Sequence, residues 1–324
     1  MIAASLLAFG LALLGTWLLI HFAPQLQLID RPNERSSHHR PTPRGGGIAL
    51  VVAVCVGLLA LPGGLPLAIE PPLYAALPIA LLGLIDDRFG LPARLRLVCH
   101  LAAATACILA FAGPIEVGLP RYLLLPLAAL AIAWGTNLFN FMDGIDGIAA
   151  AEGLFICAVA AALLSIDASA IAAALVVIAA ACVGFLIWNW APARIFMGDV
   201  GSSFFGFLLA AIAVLTVLQG LLALPVWLIL WGTFIADTGV TLARRVLRGE
   251  QWWSAHRSHA YQRLSRRLGS HARSTLLYSA INVLAVAPAA LLAHARPTVA
   301  WWICFVLLGG LVALAYKAGA GTPD

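Results

Sequence analysis

Apolar runs of about 15–20 residues alternate with short polar stretches along nearly the whole chain. This pattern predicts about eleven membrane-crossing helices, near 2–21, 45–63, 72–86, 97–113, 122–138, 148–165, 169–188, 201–218, 223–240, 275–293 and 299–316. Each is close to the ~20 apolar residues that cross a hydrocarbon core, given help from flanking residues. The longer polar stretches, near 22–44, 87–96, 139–147, 189–200 and 241–274, share one face of the membrane. No repeat and no long soluble segment separates the spans, so residues 1–324 read as a single polytopic domain.

Composition sharpens that picture. The chain is 62% hydrophobic and only 10% charged, with mean hydropathy +0.98. Soluble domains carry about a quarter charged residues. The expected class is an all-α integral membrane protein, with membrane lipids as its surroundings and no nucleic-acid partner. Nothing basic precedes His21, so the first run is expected to be a retained span and not a cleaved signal peptide. The six cysteines lie inside apolar runs without a CxxC pair and read as small core residues.

Charge placement assigns the faces. Of the 19 basic residues, all but Arg121 and Arg296 lie on the face of the five longer loops. The positive-inside rule makes that face cytoplasmic, with the N-terminus outside. The acids follow the same division. Asp86, Asp87, Asp143, Asp146, Asp199 and Asp237 fall on the inner side, while Glu70, Glu116 and Asp167 stand singly on the outer one. A transporter of nucleotide or lipid-linked sugars would keep its polar groups near the midplane, often on paired repeats. Acids gathered at one edge point to chemistry at the inner face instead.

Four inner stretches and one long loop carry that chemistry. Asn137, Asn140, Asp143 and Asp146 recur every third residue in N-L-F-N-F-M-D-G-I-D-G, where Gly144 and Gly147 loosen the backbone. Four polar groups in one interfacial turn exceed what capping requires. Asp86 and Asp87 end the third span; adjacent carboxylates repel, and a cation, Arg88 or a shared proton is needed between them. They suit either a magnesium site or a base beside an electrophile. Asn189 closes the seventh span, ahead of Phe196 and of Asp199 set between Gly198 and Gly201. A hard carboxylate there suits Mg²⁺, and equally an N-cap. Arg44 precedes a glycine run able to present backbone N–H groups to an anion, or serves as a positive-inside anchor. In the last loop Arg257 and His259 belong to a basic segment suited to phosphates or anionic headgroups.

Taken in order, these stretches resemble the polyprenyl-phosphate N-acetylhexosamine-1-phosphate transferases, which include the enzymes that initiate O-antigen synthesis and the MraY-type translocases of peptidoglycan. The DD pair matches Asp86 and Asp87, NxxNxxDGxDG matches Asn137 through Gly147, and FMGDxGS matches Phe196 through Ser202. The resemblance implies transfer of a sugar-1-phosphate from a UDP-N-acetylhexosamine to undecaprenyl phosphate, with release of UMP; monomer and homodimer stay open as assemblies. It implies Mg²⁺, with Mn²⁺ as a substitute, on Asp199 with Asn140 as second ligand. Asp86 or Asp87 would then meet the lipid phosphate, as a base or as a nucleophile in a two-step route. Asn137, Asn189 and Phe196 would line the nucleotide pocket. Many members carry HxHH in the last loop, where this chain has His259, Ala260, Tyr261 and Gln262. That departure disfavours the peptidoglycan branch and is compatible with a 6-deoxy N-acetylhexosamine.

Overall fold

The computed structural model describes residues 1–26, 28–30, 40–111, 115, 118, 120–251 and 256–323. The chain starts with α1 (Ile2–Phe22), a two-residue-by-two-residue antiparallel ribbon of β1 (Ile29–Asp30) and β2 (Thr42–Pro43), and α2 (Gly47–Leu59). Then follow α3 (Glu70–Phe89), α4 (Ala93–Ala110), α5 (Arg121–Met142), α6 (Ile148–Leu163), α7 (Ser169–Asn189) and α8 (Gly198–Leu218). The last third holds α9 (Leu224–Leu230), α10 (Gly232–Leu247), α11 (Ala260–Leu268), α12 (His271–Ile281), α13 (Ala287–Ala295) and α14 (Ala300–Ala318). A π-helical turn over Asn282–Val286 joins α12 to α13. Arg31 and Arg35 of the first basic loop lie outside the described residues.

The protein is a multi-pass helical membrane protein, but the expected eleven spans are not what length and composition give. Among the described residues seven helices are long and apolar enough to cross a membrane, and eight when the pair α9–α10, bent by 76°, is one span. The helices α2 and α6 have 13 and 16 residues. At about 1.5 Å per residue they fall short of a ~30 Å hydrocarbon core. The last turn of the third helix carries Asp86, Asp87 and Arg88 and is polar.

The bundle is built around α8, most of whose residues are buried on every side, as expected of a helix apolar all round. Lipid tails are as apolar as leucine, so close backbone contact must hold such helices together. The glycines provide it where it matters most. A Cβ on Gly83 of α3 would lie 2.3 Å from the Asp199 carbonyl oxygen, and one on Gly47 would lie 2.3 Å from the Gly201 backbone. The polar end of α3 and the start of α2 are thereby pressed against the first turn of α8.

Candidate active site

The third helix delivers its two carboxylates in different directions. Asp87 accepts from the Val200 N–H at 3.2 Å and faces a cavity. Asp86 accepts from the Leu91 N–H and from Arg96, each at 2.5 Å. Divergence, together with an arginine, resolves the repulsion that adjacency predicts. That arginine is Arg96 of α4 and not Arg88, whose guanidinium lies 5.9 Å from the Phe89 ring. Arg96 also reaches to within 3.6 Å of Asp199.

Asp199 sits in the first turn of α8, where the positive end of the helix favours an anion. Asn140, at the end of α5, donates to the Asp199 carboxylate at 2.7 Å and to the Ser202 hydroxyl at 2.9 Å. The amide therefore turns its N–H toward Asp199: it orients that carboxylate, and only its oxygen is left to meet a cation. Gly198 has φ +73°, and a Cβ there would lie 2.7 Å from an Asp87 oxygen. The backbone needs glycine for its conformation and again for the space that brings Asp87 beside Asp199.

The turn after α5 completes the wall. Asp146 accepts from the Ala193 N–H at 3.0 Å and lies 3.1 Å from His271 Nδ1, while its carbonyl accepts from Thr275 at 2.9 Å. Burial pushes the Asp143 carboxyl well above the carboxylate range, and the neighbouring Asp199, Asp87 and Asp146 push it the same way. Asn189 spends its amide N–H on the Ile195 carbonyl at 2.9 Å. Its buried Oδ1 has no hydrogen-bond partner among the described residues, and neither has Nε of Arg44.

The result is a cavity of about 320 Å³ lined by Arg44, Asp87, Asn140, Asp143, Asp146, Asn189, Phe196 and Asp199, all of them singled out from sequence. Asp30, Gln262 and His271 also line it, and sequence reasoning missed them. Only Gln262 left a signal, as an unexplained replacement in the HxHH register.

Four expected site residues lie outside this cavity. Asp86 is held beside it on Arg96. Asn137 bonds the Ala133 carbonyl at 2.7 Å and lines a separate, largely apolar groove of about 520 Å³ between α4 and α5, with Arg94, Arg96, Leu130 and Trp134. Arg257 borders a small polar pocket with Arg245, Arg248 and Glu250. His259 is 2% exposed and caps α11, its Nδ1 3.1 Å from Asp237. The Asp237 carboxylate also accepts from the N–H groups of Ala260 and Tyr261 at 2.9 Å and from Tyr278 at 2.6 Å. This cage holds a tight turn in place. Tyr261 in turn donates to the Phe141 carbonyl at 3.0 Å and packs on Gly144. The Nδ1 of His259 is turned to Asp237, and the residue is not among those lining the cavity.

Among the described residues no three His, Cys, Asp or Glu side chains converge as a metal cage. Mg²⁺ binds through one or two carboxylates and leaves its other positions to substrate phosphates and water. Asp199 and Asp87, both in the cavity wall, are the residues that would hold such an ion.

A family model described as glycosyl transferase family 4 matches residues 71–217. The chain is similar to the probable undecaprenyl-phosphate N-acetylglucosaminyl 1-phosphate transferase of Bacillus subtilis strain 168, at 29% identity over 88% of this chain and 83% of that one. It is 30% identical to the decaprenyl-phosphate N-acetylglucosaminephosphotransferase of Mycobacterium tuberculosis strain H37Rv, over 90% and 83% of the two chains. The phospho-N-acetylmuramoyl-pentapeptide-transferase of Heliobacterium modesticaldum is 32% identical over 70% of this chain and 76% of its own.

Proposed function

The chain belongs to glycosyl transferase family 4, the polyprenyl-phosphate N-acetylhexosamine-1-phosphate transferases, and on that premise we propose that it moves an N-acetylhexosamine-1-phosphate from a UDP-sugar to undecaprenyl phosphate, releasing UMP. One observation carries the reading: Arg96 stands between an acidic polar cavity and an apolar groove, on Asp86 and near Asp199 at once. A water-soluble nucleotide sugar and a lipid phosphate need such adjoining chambers, with a cation where their phosphates meet.

The donor enters the cavity. Asn189 Oδ1, left without a donor of its own, suits the imide N–H of uracil, and Arg44 Nε suits a phosphate oxygen. The acceptor tail lies in the groove between α4 and α5, its phosphate drawn to Arg94 and Arg96. A lipid phosphate monoester has a second pKa of about 6 and is largely dianionic near neutral pH, so its oxygen needs little help from a base. It attacks the phosphorus that bears the sugar; the bond from that phosphorus to the UMP oxygen breaks, and UMP departs. Bound Mg²⁺, or Mn²⁺ in its place, would be held by Asp199 and Asp87 and would neutralise charge on the pyrophosphate. A covalent route through Asp86 is disfavoured, since both of its oxygens already accept hydrogen bonds.

The charge distribution supports a cytoplasmic site in the bacterial inner membrane, where nucleotide sugars are available. The product fits the initiating step of an O-antigen-type polysaccharide. Loss of two HxHH histidines weighs against the pentapeptide substrate named for the Heliobacterium relative.

The test is UMP release in detergent from a panel of donors with undecaprenyl phosphate, with and without Mg²⁺. UDP-GlcNAc, its 6-deoxy analogues and UDP-MurNAc-pentapeptide form the panel. Turnover with an N-acetylhexosamine donor and Mg²⁺ is expected. No UMP from any donor would defeat the reading, and turnover with the pentapeptide alone would move the protein to the peptidoglycan branch.

A further inference from the structure

Away from both chambers, three buried polar side chains meet within the bundle: Glu152 of α6, Thr233 at the start of α10, and Asn282 at the π-helical turn. Glu152 is 2% exposed, and among the described residues it forms no ion pair. An unpaired carboxylate among apolar helices is costly, and acids inside membrane proteins commonly have a task.

The distances bear on where a proton would sit. Asn282 Nδ2 donates to Glu152 Oε2 at 2.5 Å, Thr233 Oγ1 lies 3.3 Å from Glu152 Oε1, and Thr233 Oγ1 lies 3.1 Å from Asn282 Oδ1. Thr233 has a single hydroxyl hydrogen. With Glu152 ionised, that hydrogen serves either Glu152 or Asn282, and one buried acceptor goes unmet. With Glu152 protonated, its O–H donates to Thr233, Thr233 donates to Asn282, and Asn282 donates back to Glu152. Every group then gives once and receives once.

This ring lies one helical turn from the site's support. Thr233 and Asp237 are four residues apart on α10, and Tyr278 and Asn282 are four apart along the helix that begins at α12. The contacts Thr233–Asn282 and Asp237–Tyr278 are thus consecutive rungs between the same two elements. The second rung holds the turn that sets Tyr261 against Gly144 and places Gln262 in the cavity wall. A π-helical turn opens the backbone at Asn282, and α9 bends into α10 at Trp231. Both are weak points in the helical ladder that a fixed cross-link would brace.

We propose that Glu152 is a neutral carboxylic acid whose closed hydrogen-bond ring with Thr233 and Asn282 is a positioning device for the catalytic cavity, fixing α10 and through Asp237 the turn from His259 to Gln262. The positioning half rests on the transferase reading, while the protonation half does not.

Two measurements test it separately. An infrared difference spectrum of wild type against Glu152→Gln, at neutral pH, reads the carbonyl stretch of a protonated carboxylic acid. The band is expected in wild type and absent from the variant; no such difference overturns the neutral acid. For positioning, Glu152→Gln preserves the donor and acceptor pattern and should keep kcat and KM within about twofold. Thr233→Val opens the ring and should lower kcat/KM about 10- to 100-fold, the scale of a misplacement of up to about 1 Å. Thr233→Ser should restore it, which separates lost alignment from lost folding. Equal kinetics in Thr233→Val and wild type overturn the positioning role, as does a Thr233→Ser no better than valine. If wild type releases no UMP, the transferase reading fails and takes the positioning half with it, while the infrared result still decides the ring.

Discussion

Asp199 is the residue on which the proposed chemistry turns, because it is the carboxylate shared by Asn140, Arg96 and the first turn of α8. Replacing it with asparagine keeps the shape and removes the charge. Asp199→Asn should lower kcat about 10²- to 10³-fold, the scale for removing one electrostatic group from a preorganised site. UMP release by protein that still elutes as a folded species in detergent checks this. Gly198 is constrained twice, by its positive φ and by the Asp87 oxygen 2.7 Å from where a Cβ would stand. Gly198→Ala should cost about 1–2 kcal/mol of conformational strain and displace Asp87. The expected outcome is a folded enzyme with strongly reduced turnover, read by the same assay. Both residues were legible in the sequence, since a carboxylate between two glycines is an uncommon pattern in an apolar helix. The partner of Asp86 was not. Arg88 is adjacent in sequence, but consecutive residues on a helix point about 100° apart, and Arg96 comes back from the next helix to the same face.

At the scale of elements, α4 and α5 divide labour with the turns beyond them. Their facing sides leave a largely apolar groove, and Leu130 and Trp134 lie one turn apart along it. Leu130→Trp should fill the groove, raising KM for the lipid acceptor several-fold while KM for the UDP-sugar stays near wild type; initial rates with each substrate varied in turn measure the split. Away from Asn189 at its end, α7 packs on α1 through small residues. Ala4, Ala8 and Ala12 are buried along α1, and a Cβ on Gly184 would lie 2.4 Å from the Phe9 carbonyl oxygen. Gly184→Ala should separate the helices at a cost of about 1–3 kcal/mol, seen as a lower melting temperature in detergent with substrate KM values unchanged. The helical segments were readable from hydropathy because every backbone group in a bilayer must be satisfied within its own helix. The break between α9 and α10 was not, since a single Gly232 in the apolar run over 223–240 does not give a 76° bend. The partner of His259 was hidden for a related reason: a histidine in a basic loop gives no sign that Asp237, on another helix, holds its Nδ1.

For the whole molecule, the polar ends of α3, α5 and α7, the segment before α2 and the first turns of α8, α11 and α12 converge on one polar cavity. The proposed orientation predicts opposite reactivities for two single-cysteine variants on a background freed of native cysteines. Gly249→Cys should react with a membrane-impermeant thiol reagent only after cells are opened, and Asp167→Cys should react in intact cells. The converse pattern would invert the topology and place the cavity outside. By itself the sequence determined that the chain crosses a membrane as helices, because hydropathy and backbone satisfaction are local properties of each run. It determined most of the cavity wall as well, since motifs such as the DGIDG turn carry their polar groups within a few residues of one another. Tertiary structure alone decided which carboxylate faces the cavity, which arginine neutralises its neighbour, and that Asn137 belongs to the groove. It also decided the ring of Glu152, Thr233 and Asn282. These are contacts between different helices, some consecutive and some far apart in sequence, and no reading along a single chain contains the angle at which two helices meet.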